Sequence, residues 1–267
     1  MPPLIRELLT SLRQLTVGSV SQEPFVLAWG DPRGPQFFFA HASTEGFTQL
    51  PVRTGRSIDR IVDTLELEGV SDWDSAPNGR PIMVDDLVAR DAPLFSLLPR
   101  LSERDLLLCL GGDGVDGVVT VYDLNQPAAH MFALGLALVI EAEMSAAITA
   151  CFATQRALES YVISVLGAKN GQVKRWHRAT ERDQQVEILN YLTFSEKMRC
   201  LTQDALERLS VPAKTDAADL RRKLREVQLF RNSIAHYAVF ELADYRSAVA
   251  HMRTAYTLAR RLSRPST

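Results

Sequence analysis

Arg231-Asn232-Ser233-Ile234-Ala235-His236 sets a permanent cation, a side-chain amide and a titratable imidazole within one short stretch. Imidazole can take or give a proton near neutral pH. A guanidinium can grip phosphate with two parallel hydrogen bonds and stabilise the charge that gathers there during displacement. These residue types suit phosphodiester cleavage without a metal. The bare spacing is weak evidence, because Arg246-Ser247-Ala248-Val249-Ala250-His251 repeats it. Only the first stretch has Asn directly after Arg and Tyr237 directly after His. Only the first is followed by a further full-length helical pattern, from about Leu242 to Leu262. The plain reading of either is a solvated helix face.

The element that must position the first stretch is a helix beginning near Thr215 or Asp216, either of which can cap it. Leu220, Leu224, Val227, Arg231 and Ile234 recur at intervals of four and three, which places Arg231 on the apolar stripe. A cation there needs a partner or ligand, or a stem that carries its head to solvent. Asn232 and His236 are four apart and share a face. Arg231 and His236 are about 140° apart on an ideal helix. Their convergence needs arginine's length, a bend, or a second subunit. Arg221, Arg222, Lys223 and Arg225 lie on the same helix and can steer phosphates toward the motif. A second basic patch, Lys174-Arg175-Trp176-His177-Arg178, has the mix that stacks on and pairs with RNA, or it is a solvated loop.

The charge is divided unevenly. The chain carries a net −2, but residues 151–267 hold 20 Lys and Arg against 12 Asp and Glu, so the first 150 residues are strongly acidic. A basic half joined to an acidic half suggests that only the former meets a polyanion; the alternative is that each half is merely solvated by its charges. Three scattered cysteines in apolar surroundings (Cys109, Cys151, Cys200) read as core residues of a reducing compartment. The start of the chain has no apolar signal core, and the run from Met131 to Ile140 is too short to span a bilayer. A cytoplasmic location without membrane contact is expected. No phosphate-loop motif and no clustered metal-ligand set is present.

After residue 123 the pattern is helical throughout: from about Gln126-Pro127 to Leu166, Thr180 to Leu192, Ser195 to Leu209 with Ser195 as cap, the helix into the motif, and the last helix. The earlier half is mixed. Phe25 to Trp29 and Gln36 to Ala40 read as strands about an Asp31-Pro32-Arg33-Gly34-Pro35 turn, and Ile58 to Leu65 as helix. Then follow an extended Pro81 to Val84, a short helix at Asp91 to Leu101, a buried strand at Asp105 to Leu110, a glycine turn, and a strand from Gly117 to Tyr122. No repeat is evident residue by residue.

Two resemblances follow from these residues. Phe230-Arg231-Asn232-Ser233-Ile234-Ala235-His236-Tyr237 resembles the signature of the HEPN superfamily, all-helical domains of which many are ribonucleases. Ile188 to Lys197 is similar to the same family, and the likeness covers about the last half of the chain. It implies a homodimer whose interface joins two motif copies into one cleft. His236 would be general acid or base at the 2′-hydroxyl or leaving oxygen. Arg231 would stabilise the phosphorane, and Asn232 would orient the phosphate or His236. The products implied are a 2′,3′-cyclic phosphate and a 5′-hydroxyl, with no cofactor required. A defence or toxin setting is implied at family level only.

Gly117-Val118-Val119-Thr120-Val121-Tyr122-Asp123, followed by Leu124, resembles the end of a CBS domain, the module named after cystathionine β-synthase. The resemblance implies an adenine nucleotide with Thr120 on phosphate and Asp123 on the ribose. A helix start does attract phosphate, although Asp123 also serves simply as a helix cap. These domains come in pairs, so a first repeat is expected within residues 1–75, where no matching motif stands.

The expectation is an α+β protein: a CBS-like regulatory domain over residues 1–125 and a HEPN-type helical bundle over 126–267. Its expected function is metal-independent RNA cleavage tuned by an adenine nucleotide. The alternative is a non-catalytic, nucleotide-sensing or RNA-binding dimeric scaffold.

Overall fold

A computed structural model describes residues 3–182, 186–235 and 245–262. The described residues are α+β and form two compact units. Leu15–Ala129 is one. The other joins helix α1 (Pro3–Gln14) to the described residues from His130 onward. Helix α1 thus groups with the helical unit, and the mixed unit runs to Ala129. Leu12 of α1 is buried, and a Cβ added at Gly135 would lie 2.6 Å from its side chain. Glycine is what lets the two helices approach there.

The mixed unit is built twice from the same plan. Strand β1 (Leu27–Ala28) leads through helix α2 (Pro35–Glu45) to β2 (Gln49–Thr54), which pairs parallel to β1 and antiparallel to β3 (Ser57–Asp63). A short β4 (Arg80–Pro81) closes that sheet. Strand β5 (Leu87–Ala89) leads through α3 (Leu97–Leu101) to β6 (Leu106–Gly111), again parallel, and β6 pairs antiparallel with β7 (Gly114–Thr120). The two hairpins match position by position. Thr54 faces Ser57 as Gly111 faces Gly114, and Gln49 faces Asp63 as Leu106 faces Thr120. The irregularity at Val52/Arg53 recurs at Cys109/Leu110. Both hairpins run into a 3₁₀ turn, Thr64–Leu67 and Val121–Asn125. The repeat absent at the residue level is thus present in the backbone. At the places of Thr120 and Asp123 the first copy carries Asp63 and Glu66, both exposed. The two copies thus share register but not these side chains.

Two readings are corrected here. Gln36 to Ala40 is helix, because Pro35 sits at the first helical position, where its missing N–H costs nothing, and Gly46 closes the helix in the left-handed region at φ 75°. Ile58 to Val62 is strand, because Gly55 at φ 65° folds the chain into a tight hairpin that presents Ile61 and Val62 to the core. Leu27, Phe38, Leu50, Val52 and Val62 bury one cluster, and Ile61, Leu106 and Leu108 another.

In the helical unit, α4 (Pro127–Thr149) ends well before Leu166, and α5 (Gln155–Leu166) starts anew on a Thr154 cap. Helix α6 spans Gly171–Thr180, where a loop was expected, and begins on Asn170, whose side chain accepts from the amides of Gln172 and Val173. Residues 188–191 form only a 3₁₀ turn. Helix α7 (Phe194–Arg199) is capped by Thr193, two residues before the expected Ser195, in a reciprocal box with Glu196. Then come α8 (Gln203–Ala213), α9 (Ala217–Ala235) and α10 (Tyr245–Leu262). By length and composition α4 could cross a bilayer, but 56% of its apolar stretch is buried inside the protein, as a core helix would be.

Candidate functional site

Helix α9 carries two of the three motif residues that chemistry would use. Asp216 starts it, its carboxylate accepting from the Asp219 amide at 2.8 Å. Leu220, Leu224, Val227, Phe230 and Ile234 are its buried face. The buried seat near the carboxy end thus goes to Phe230, and Arg231 is half-buried at the edge of the stripe. Its Nη1 donates to Oδ1 of the exposed Asn232 at 3.4 Å. Among the described residues, no carboxylate forms an ion pair with Arg231. His236 and Tyr237 lie outside the described residues, as does the start of the last helix expected from Leu242.

The basic residues on α9 divide by ion pairing. Arg222 pairs with both Asp219 and Glu226, and Lys223 pairs with Asp219 at 2.7 Å. These contacts hold the Asp219 carboxyl well below its ordinary range, the Lys223 hydrogen bond being the largest cause. Arg221 and Arg225, one turn apart, are exposed, with no ion pair among the described residues. They share their face with the exposed Leu229 and with Asn232. On α6, Lys174 and Arg175 are exposed, but Trp176 is buried and its Nε1 donates to the Val186 carbonyl at 3.0 Å. The expected stacking aromatic is therefore part of the core.

A second histidine stands beside the motif. The His251 ring lies 6.0 Å from that of Phe230, and its Nε2 is 3.1 Å from Ser247 Oγ. Spacing alone gave no sign of this.

The other candidate site lies wholly within the mixed unit. A cavity of about 460 Å³ is lined by both structural repeats, and Thr120 and Asp123 are in its wall. Thr120 is already engaged: its amide and hydroxyl donate to Asp123 Oδ2 at 2.7 and 3.1 Å, and its Oγ1 accepts from the Tyr122 amide. Asp123 is buried, and burial pushes its carboxyl above the ordinary range against the pull of the Thr120 and Gln22 hydrogen bonds. It caps the 3₁₀ turn and not the long helix, which starts only at Pro127. The helix start invoked to attract phosphate is therefore elsewhere. Phe25 and Phe47, whose rings are 6.3 Å apart, also line the cavity, and neither stood out in the sequence. Their signal was present only as an aromatic-rich stretch before the first hairpin.

Among the described residues no group of His, Cys, Asp or Glu is arranged to hold a metal ion. Cys109 and Cys200 are buried, which raises their thiols to about 12 and about 11. Neither is a nucleophile near neutral pH. No protein-family model matches the chain, and no curated protein matches it.

Proposed function

We propose that the helical unit is a metal-independent endoribonuclease of HEPN type, acting as a homodimer, and that the mixed unit is a CBS-like ligand-sensing module. The observation that carries the reading is the half-buried Arg231, whose guanidinium is held beside Asn232 and forms no ion pair among the described residues, while neighbouring Arg222 is neutralised. A guanidinium with no ion pair among the described residues can take an anion from outside. Arg221 and Arg225, exposed on that helix, would lead a phosphate backbone toward it. The duplicated strand-helix-hairpin plan and the cavity at Thr120 and Asp123 support the sensing role.

In this reading His236 moves the proton at the 2′-hydroxyl or the leaving oxygen. Arg231 stabilises the phosphorane, and Asn232 orients the phosphate. An adenine nucleotide is the regulatory ligand that the CBS resemblance implies.

The experiment is cleavage of single-stranded RNA by the purified chain in excess EDTA, with chemical identification of the new ends. Cleavage giving a cyclic phosphate, lost in both Arg231→Ala and His236→Ala, is the expected result; unchanged cleavage in both variants overturns the reading. Light scattering at micromolar concentration tests the dimer. The cavity favours a second reading, a ligand-sensing scaffold that binds RNA without cutting it. Binding without any cleavage would select it.

A further inference from the structure

We propose that the cavity of the mixed unit binds a small organic cation, an ammonium group on an apolar or aromatic body, in preference to a nucleotide. This rests on the reading of that unit as a ligand-binding module and not on the ribonuclease reading.

The cavity is the starting point. At about 460 Å³ it is of small-molecule size, and its aliphatic lining is Leu50, Pro51, Leu106 and Val118. Three aromatic rings, Phe25, Phe47 and Tyr122, line it as well. Phe25 packs against Phe38 and His41, at 5.7 and 4.2 Å between ring centroids, which fixes its position. Phe47 and Tyr122 are partly exposed, at 40% and 45%. Faces of this kind attract a cation through the ring quadrupole.

The charged groups of the wall are all of one sign. Glu23, Glu45, Asp105 and Asp123 line it, and no lysine or arginine does. Two come from the first structural repeat and its lead-in, and two from the second. Field lines from like charges around an apolar hollow concentrate inside it and raise the local concentration of the opposite charge. The same field opposes a phosphate, which would need a cation or free amides to meet it. The Thr120 amide and hydroxyl, the donors that the CBS resemblance assigns to phosphate, are already given to Asp123. A ligand whose ammonium meets the carboxylates and whose body lies against the apolar residues matches both the charge and the hydrophobic part of the wall.

The test is calorimetric titration of the full chain with 2-phenylethylamine, benzyltrimethylammonium, the uncharged isostere 2-phenylethanol, and AMP. The amine and the quaternary ammonium are expected to bind at least tenfold more tightly than 2-phenylethanol or AMP. Glu23→Gln and Glu45→Gln, both at exposed positions, are expected to weaken the amine roughly two- to fivefold each, the scale of an exposed charge pair. Phe47→Leu should weaken it by roughly three- to tenfold while sparing the hydrophobic volume. Tighter binding of AMP than of either cation overturns the proposal and leaves the nucleotide reading standing. Equal binding of 2-phenylethylamine and 2-phenylethanol, or indifference to both carboxylate changes, also overturns it. Failure of all four to bind below millimolar concentration removes the proposal and the ligand-sensing reading together, while RNA cleavage remains a separate measurement.

Discussion

Lys197 Nζ donates to Glu141 Oε1 at 2.8 Å, and both side chains are largely out of water, at 8% and 15% exposure. The pair joins α7 to the middle of α4, across 56 residues of chain. In the sequence Glu141 looks like the polar end of an apolar run; in the fold its side chain is largely shielded and has a dedicated counter-ion. Burying both charges is costly, and their attraction roughly repays it; removing one leaves the other stranded. Lys197→Met should therefore destabilise the helical unit by about 3–5 kcal/mol. The double change Lys197→Met with Glu141→Leu should recover most of that. Urea unfolding followed by the helical circular-dichroism signal decides the matter; equal losses in the single and double variants would show that the pair is not coupled.

The arginines of α9 should not contribute equally to RNA binding. Arg222 already serves Asp219 and Glu226, whereas Arg221 and Arg225 are exposed with no such partners among the described residues. Each phosphate contact removed lowers the slope of log affinity against log salt by about 0.7 for a single strand. Arg221→Ala and Arg225→Ala are each expected to weaken binding and to lower the slope by that amount, while Arg222→Ala changes both little. Filter binding over a salt series measures it. A dominant effect of Arg222→Ala would mean that its ion pairs open when RNA arrives.

Asp86 should govern the acid stability of the mixed unit. It is fully buried, accepts from both Nη atoms of Arg80 at 2.6 and 3.0 Å, and accepts from the Met83 amide at 2.8 Å. Burial by itself would raise its carboxyl, but the hydrogen bonds from Arg80 and Met83 and the charges of Arg80 and Arg104 outweigh that and hold it below the ordinary value. The folded carboxyl thus binds its proton less tightly than the unfolded one. Its contribution is complete above the unfolded value of about 4 and is lost as pH falls through the folded value. Asp86→Ala should cost roughly 1.5–3 kcal/mol near neutral pH and flatten the stability profile below about pH 4. Melting temperatures from pH 2 to 7 provide the check.

How far the sequence could be read depended on the range of each signal. Periodicity found the helical half and the second hairpin because both are set by neighbouring residues. Local punctuation would have corrected two elements: Pro35 and Gly46 bracket α2, and Thr193-x-x-Glu196 marks the start of α7. The structural duplication could not be read, because what repeats is hairpin register, while Asp63 and Glu66 stand at the places of Thr120 and Asp123. Trp176 as a core residue, the Lys197–Glu141 pair and the cavity wall depend on contacts between distant segments, which no short window contains. Arg231 was misplaced by one position for a smaller reason: near the end of α9 the buried face turns toward Phe230.

His236 and His251 can be separated by experiment. By spacing alone His251 is a chance match, yet its ring packs 6.0 Å from Phe230, the residue before Arg231. His251→Ala should therefore lower stability by about 0.5–1.5 kcal/mol, the worth of a ring pair beyond its area, without being a catalytic loss. His251→Phe keeps a ring against Phe230 and removes the ionisable nitrogen. If His236 carries the proton, His251→Phe should cleave RNA at the wild-type rate, with an unchanged pH profile, at a temperature well below its melting point. His236→Phe should lose about 10²–10⁴-fold. Loss of cleavage in His251→Phe with stability intact would move the general acid or base from His236 to His251 and make Ser247, 3.1 Å from its Nε2, the group that orients it.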